Sequence, residues 1–271
     1  MMHYTPKYLR GFGKVYYDEG SDQYVPSVSM VCDQVTQAPY LQRQTGDCGM
    51  GYDRYKLAGT VCHSVMPDLF AHAMACDYDE WLRNPKAAKE RIREQIEQHP
   101  DMCGAYGNAG QLTDMCLSAS EQAAERLRGS MEVAATEAGY TYSGCGFDAY
   151  CGTPDVILAD RKEEILGGVL DWKFSFSEKV LCKSSCVRPE HEVAAQCYLM
   201  FIEPSTQTTP DARRYAAYVY TNIKGESYLH KFFPDQKIRG LIIAAITLLR
   251  HRLRSDLETY FREEERYGRA R

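Results

Sequence analysis

Residues 152–173 read GTPDVILADRKEEILGGVLDWK. Asp155 opens one apolar run, a charged turn follows, and a second apolar run ends in Asp171-Trp172-Lys173. Two strands joined by that turn bring Asp155, Asp171 and Lys173 to one end of a hairpin. Residues two apart on a strand share a face, so Asp171 and Lys173 stand together while Leu170, Trp172 and Phe174 form the opposite, apolar face. That alternation predicts one buried side and leaves Asp171 and Lys173 toward a cleft or solvent. Two carboxylates offer hard oxygen ligands to a divalent cation, and an amine beside them can stabilise or activate a hydroxide.

Three further stretches extend the pattern. Upstream, Ala58-Gly59-Thr60-Val61-Cys62-His63 carries a histidine early on a helix-forming segment. Downstream, Ala194-Ala195-Gln196-Cys197-Tyr198 lies on the next helix. Near the start, Tyr24-Val25-Pro26-Ser27-Val28-Ser29-Met30-Val31 precedes Ala38-Pro39-Tyr40-Leu41. In this order the four segments resemble the PD-(D/E)XK nuclease superfamily, in its RecB-like, phage-type exonuclease branch, to which the mitochondrial genome maintenance exonuclease is related. The likeness covers roughly residues 24–203.

The resemblance implies roles. His63, Asp155, Asp171 and the backbone carbonyl of Trp172 would ligate Mg2+ or Mn2+, the imidazole suiting the softer ion. Lys173 would orient or help deprotonate the attacking water, and Gln196 would hold Lys173 or a phosphate oxygen, since its amide both donates and accepts. His72, nine residues beyond His63, is half a turn out of phase on a helix and is expected outside the site. The chain departs from the family twice. Many members place a glutamate on the strand before the first aspartate, whereas 141–146 contains no acid, and Asp148 is the one acid between Gly139 and Pro154. The tyrosine usual four residues after the glutamine is Met200 here, with Tyr198 two residues after instead. Both departures bear on a second metal rather than the first.

Composition fits a globular protein: 271 residues, 44% hydrophobic and 25% charged. No apolar run of membrane-spanning length and no secretory signal is present, so a cytoplasmic, membrane-free setting is expected, in a cell or as a phage product acting in its host. Eleven cysteines in such a chain read as reduced thiols. An iron-sulfur cluster of the kind some relatives carry is not expected, because Cys197 is the last cysteine and leaves no C-terminal ligands. Cys182 with Cys186, and Cys145 with Cys151, lack the tight spacing of a zinc ribbon and read as small buried hydrophobes or free thiols. The net charge of -5 argues against non-specific coating of DNA, so a local basic groove is expected from Lys179, Lys183, Arg188, Arg213 and Arg214, with Tyr198 beside it.

The elements expected along the chain are a hairpin over 14–31, with Val15-Tyr16-Tyr17 and Tyr24-Val25 its strands, and a helix over 60–76 broken or kinked at Pro67. A charged helix follows, opened by Asn84-Pro85 and running to His99. Ser118-x-x-Glu121 predicts a capping box for a helix ending at Gly139. Strands at 140–150, 153–160 and 165–175, a helix over 189–203, strands at 214–222 and 226–233, and a long helix from Pro234 complete the order. This is an α/β protein with an αβββαβ core: a mixed central sheet flanked by helices, an N-terminal hairpin and helical elaboration, and a long C-terminal helix. It reads as one domain, with an approach segment at 1–58, a helical part at 59–138, the catalytic sheet at 139–233 and the last helix at 234–271. The leading expectation is a metal-dependent DNA exonuclease of recombination, replication or repair, acting on single-stranded or duplex ends, with a recombination or helicase partner or further copies of itself. A structure-specific or restriction-type endonuclease on the same core, a catalytically inactive nucleic-acid-binding derivative, and a cysteine-based metal or redox protein are the alternatives. Arg250, Arg252 and Arg254 on the last helix are available to a partner or a phosphate backbone.

Overall fold

The computed structural model describes residues 4–9, 13–18, 23–36, 50–75, 84–137, 139–144, 147–163, 165–203 and 213–268. A five-stranded sheet has the order β10-β9-β8-β7-β4, built from β4 (Met131–Thr136), β7 (Val156–Asp160), β8 (Leu166–Ser175), β9 (Tyr215–Asn222) and β10 (Ser227–Phe232). β8 and β9 are parallel and every other pairing is antiparallel. A parallel pair needs a long crossover. Here it is α6 (Pro189–Ile202), preceded by the single turn α5 (Lys183–Cys186). With α4 (Ala109–Leu127) before β4, the order helix, three strands, helix, strand gives the expected α/β core.

β9 is buried along its whole length, as a strand covered on both faces must be. One face packs Leu170, Trp172, Ala217 and Val219 against α2 (Met50–Met74), α3 (Pro85–Gln98) and α4. The other packs Val169, Ala216 and Tyr218 against Ala195, Leu199 and Ile202 of α6. A third cluster joins α6 to α1 (Val28–Thr36) and α7 (Gln236–Gly268) through Val31, Val193, Cys197, Ile242 and Ile246. Gly168 sits where β8 first meets β9; a Cβ there would fall 2.7 Å from the carbonyl oxygen of Tyr215. No helix among the described residues is long and apolar enough to cross a membrane.

Several expectations are corrected. The N-terminal pairing of β2 (Gly13–Asp18) with β3 (Gln23–Pro26) is present, Tyr16 opposite Val25, but a further strand, β1 (Tyr4–Leu9), joins them, and residues from Val28 onward form α1 rather than hairpin. The turn at 19–22 and the segment Ala38–Leu41 lie outside the described residues. α2 begins at Met50, ahead of the expected start, and continues unbroken through Pro67. Asn84 caps α3 as expected, its side chain accepting from the Ala87 N–H. The capping box of α4 belongs instead to Asn108 and Gln111. Ser118 is mid-helix, its hydroxyl 2.8 Å from that of Ser227. α4 ends at Leu127, and 131–136, expected within the helix running to Gly139, is edge strand β4, paired with β7. Accordingly 140–150 supplies no strand to the main sheet. Tyr140–Gly144 (β5) and Phe147–Gly152 (β6) form a separate two-stranded sheet.

Candidate active site

β8 outruns β7. Their last pair toward this end is Val156 with Leu170, so 171–175 is paired only on the β9 side. At the vacated edge Asp155, the residue before β7, takes the place of a strand: its Oδ2 accepts the Trp172 N–H at 2.7 Å. In an extended residue the N–H and C=O point to the same side. The Trp172 carbonyl therefore opens toward Asp155, away from β9. His63, from α2, reaches the same edge, with Nδ1 3.5 Å from Asp155 Oδ1 and its ring edge-on to Phe174 at 5.5 Å. Asp171 and Lys173 share the other face and form a close ion pair. Tyr218, opposite Asp171 in register, lies under the Lys173 ammonium, 5.3 Å from nitrogen to ring centroid.

The expectation of a single buried face on β8 is corrected by this placement. Both faces are covered, and Asp171 is 4% exposed, whereas Lys173 keeps about a third of its side chain in solvent. Burial pushes the Asp171 carboxyl up; Lys173 opposes this and the neighbouring Asp155 charge adds to it, leaving the group at about 6. Burial also works against ionised Asp155, but His63, Lys173 and the Trp172 N–H outweigh it and hold the carboxyl below its ordinary value. Burial disfavours the Lys173 ammonium, yet the two aspartates raise its pKa. Burial is likewise the largest influence on His63 and works against its charged form, but the charge and hydrogen bond of Asp155, with the charge of Asp171, raise its pKa on balance. The centre is two electrostatically coupled carboxylates, one paired with a histidine and the other with a lysine.

The donor set is one imidazole, two carboxylates and an outward-facing carbonyl, which suits Mg2+ or Mn2+. Among the described residues no three His, Cys, Asp or Glu side chains are gathered at ligand spacing as they stand. His63 lies on Asp155, and Lys173 on Asp171. A divalent cation fits the chemistry of this set by relieving the mutual repulsion of the aspartates that His63 and Lys173 now relieve.

Gln196 is not at the centre. It is 1% exposed, its amide nitrogen donates to the Phe233 carbonyl at 2.8 Å, and its oxygen accepts from the Asp235 N–H at 2.9 Å and from Arg239 Nε at 3.3 Å. Both ends of the amide are committed to the link between β10 and α7, which corrects the expected contact with Lys173 or phosphate. Tyr198, two residues on, feels the site electrostatically: burial first, then the charges of Asp171 and Asp155, push its phenol far up. Lys179, Lys183 and Arg188 are exposed on the segment leaving this end of β8. Arg213 and Arg214 precede β9 at its opposite end, roughly 20 Å from Lys173 by strand register. Arg213 pairs with Glu163 and Arg214 is 6% exposed, so neither belongs to a groove at the site. His72 lies away with Asp68 and Arg91 in a groove between α2 and α3.

Sequence reasoning missed two residues here. His191, on α6, has Nδ1 3.0 Å from the Tyr220 hydroxyl, and burial, with Lys173 nearby, lowers its pKa to about 4. Its signal was a histidine five residues before Gln196. Glu137 follows β4, which is the true sheet neighbour of β7; its N–H donates to the Asp155 carbonyl at 2.9 Å, and its φ of 46° is left-handed. The strand beside β7 is therefore 131–136 and not 141–146. As for sulfur, Cys182 Sγ contacts the Ser184 and Ser185 hydroxyls, which lower its pKa to about 7, while Cys186 and Cys151 are buried free thiols. Cys145 lies outside the described residues.

No family model matches the chain, and no curated protein matches it. Among solved structures it is similar to an alkaline exonuclease, LHK-Exo, from Laribacter hongkongensis, at 13% identity and a TM-score of 0.39 over 55% of this chain and 70% of that one. It is also similar to the protein SSO0001, at 15% identity and a TM-score of 0.31 over 66% of this chain and 74% of that one.

Proposed function

We propose that this chain is a metal-dependent deoxyribonuclease that hydrolyses phosphodiester bonds, acting as an exonuclease on DNA ends. The observation that carries the reading is the buried Asp171 carboxylate with the partly buried Asp155 carboxylate, set with His63 and Lys173 at the open edge of β8. Burial of like charges without a core to stabilise is what a cation site requires, and perturbed carboxylates concentrate at functional sites. His63, Asp155, Asp171 and the Trp172 carbonyl would hold Mg2+ or Mn2+. When bound, the ion supplies Lewis-acid charge for the phosphate and lowers the pKa of a water.

The chain's own groups do the rest. Lys173 is held as an ammonium by the aspartates, so it acts by orienting the nucleophilic water and countering charge on the phosphate rather than as the resting base. Neutral His191 and the Tyr198 and Tyr220 hydroxyls line the α6 side and can donate to phosphate oxygens. Lys179, Lys183 and Arg188 stand where the strand backbone would enter, giving the local positive charge that the net charge of -5 withholds elsewhere. Gln196 serves this reading only by anchoring α6, on which His191 and Tyr198 ride.

Degradation of end-labelled linear DNA, compared with covalently closed circles in Mg2+, Mn2+ or chelator, tests the proposal. Cation-dependent loss of linear DNA with circles spared is expected. Cleaved circles would make the enzyme an endonuclease on the same core. Binding of DNA with no hydrolysis in either cation would make it a nuclease-derived binding module.

A further inference from the structure

Tyr55 stands out because its ring is 40% exposed although aromatic neighbours surround it. On the second turn of α2 it stacks on Phe176 at 5.6 Å between centroids and 20° between planes, and meets Tyr106 at 4.6 Å. Phe176 and Tyr106, 5.9 Å apart and edge-on, are seated against the core under α2, so they form a rigid base and Tyr55 an open top. The loop bearing Tyr106 is tied to α2 by its N–H, which donates to the Arg54 carbonyl at 3.0 Å. The Arg54 guanidinium lies 5.9 Å from the Tyr106 ring, is exposed, and has no carboxylate partner among the described residues.

This cluster is continuous with the candidate centre. Phe176 lies just past the end of β8, two residues beyond Phe174, which touches His63, on the strand that carries Asp171 and Lys173. Tyr55 is eight residues before His63 on one helix, roughly 12 Å by helical rise. That span corresponds to about three stacked nucleotides.

We infer that Tyr55, on its Phe176 and Tyr106 base, is a stacking platform for a nucleobase of single-stranded nucleic acid, with Arg54 on the adjoining phosphate. The inference rests on the nuclease reading for the identity of its occupant. Bases within a duplex are stacked on each other, and only an unpaired strand presents a free π-face to an aromatic ring. An exposed guanidinium beside the rings supplies the complementary charge for the backbone. The platform makes the enzyme one that acts on unpaired ends, and it assigns base recognition a few nucleotides from the bond to be cleaved.

The test uses the full chain carrying Lys173→Ala to silence cleavage, and fluorescein-labelled oligothymidylates with a single abasic position moved along the strand. One interior abasic position should weaken binding about tenfold. Tyr55→Ala should weaken binding to the intact strand by a similar factor and abolish that position-specific penalty, while Tyr55→Phe preserves both. Equal affinity for every abasic strand overturns the platform, as does a penalty that persists unchanged in Tyr55→Ala, or binding confined to duplex. Hydrolysis by the wild-type chain is read separately. Linear DNA degraded without a position-specific penalty leaves the nuclease and removes the platform, whereas a penalty without hydrolysis does the reverse.

Discussion

Two buried polar clusters lie on either side of α6, and they are built on opposite terms. In the first, Arg239 is forked onto Glu203 by bonds of 2.6 and 2.8 Å, and its Nε shares the Gln196 oxygen with the Asp235 N–H. Opposite charges are matched and both ends of the amide are used, as buried polar groups in a stable interior require. In the second, buried Asp171 pairs with Lys173 and partly buried Asp155 with His63, and both of those basic partners keep about a third of their side chains in solvent. The first cluster holds α6 to α7 and explains itself as structure. The second keeps two carboxylates of like charge together, and perturbed carboxylates of that kind concentrate at functional sites.

That contrast can be broken experimentally. The largest effect should come from the second cluster: Asp171→Ala or Lys173→Ala should reduce DNA hydrolysis about a hundredfold to ten-thousandfold while the thermal unfolding midpoint stays within a few degrees. Activity surviving both substitutions would sink the assignment. In the first cluster Arg239→Ala should cost about 3–5 kcal/mol in urea-induced unfolding, because the Glu203 carboxylate is left buried and unpaired. Hydrolysis per folded molecule should persist. Gln196→Ala should cost about 1–3 kcal/mol through the donors it strands, with kcat retained; a collapse in kcat at unchanged stability would return Gln196 to the catalytic centre.

Titration sharpens the comparison further. Asp171 must be ionised to serve as a ligand, and its carboxyl lies at about 6 in the resting protein. Activity at subsaturating Mg2+ should therefore fall about tenfold per pH unit below that point. Raising Mg2+ should move the acid limb to lower pH, since the cation binds the deprotonated form. An acid limb near 4 that ignores Mg2+ would contradict the repulsion ascribed to the pair. The smallest effect belongs to Arg213→Ala, whose exposed pair with Glu163 is worth about 0–1 kcal/mol. DNA affinity unchanged by that substitution would agree with its place at the far end of the sheet.

What could be read along the chain was what depends on neighbours in sequence. The alternation of Leu170, Asp171, Trp172 and Lys173 announced a strand with one polar pair, and Asn84-Pro85 marked a helix start by conformational and capping rules that act within a turn. β4 was not legible in this way, since Met131–Thr136 mixes helix-favouring Met131, Glu132, Ala134 and Ala135 with β-branched Val133 and Thr136, and pairing with β7 makes it a strand. Nor was Glu137, which meets Asp155 through that same pairing.

The sequence alone named two aspartates and a lysine at the end of β8, because the alternation over 152–173 is local, and it added His63 by resemblance. Tertiary structure decided which groups share that site. It drew in His191 and Tyr198, turned Gln196 toward Arg239, and carried Arg213 and Arg214 to the other end of β9. The physical reason is that a side chain's role follows from the charges and donors around it in space. Those are set by strand order and helix packing, which bring residues 63, 155, 171 and 191 together from four separate elements.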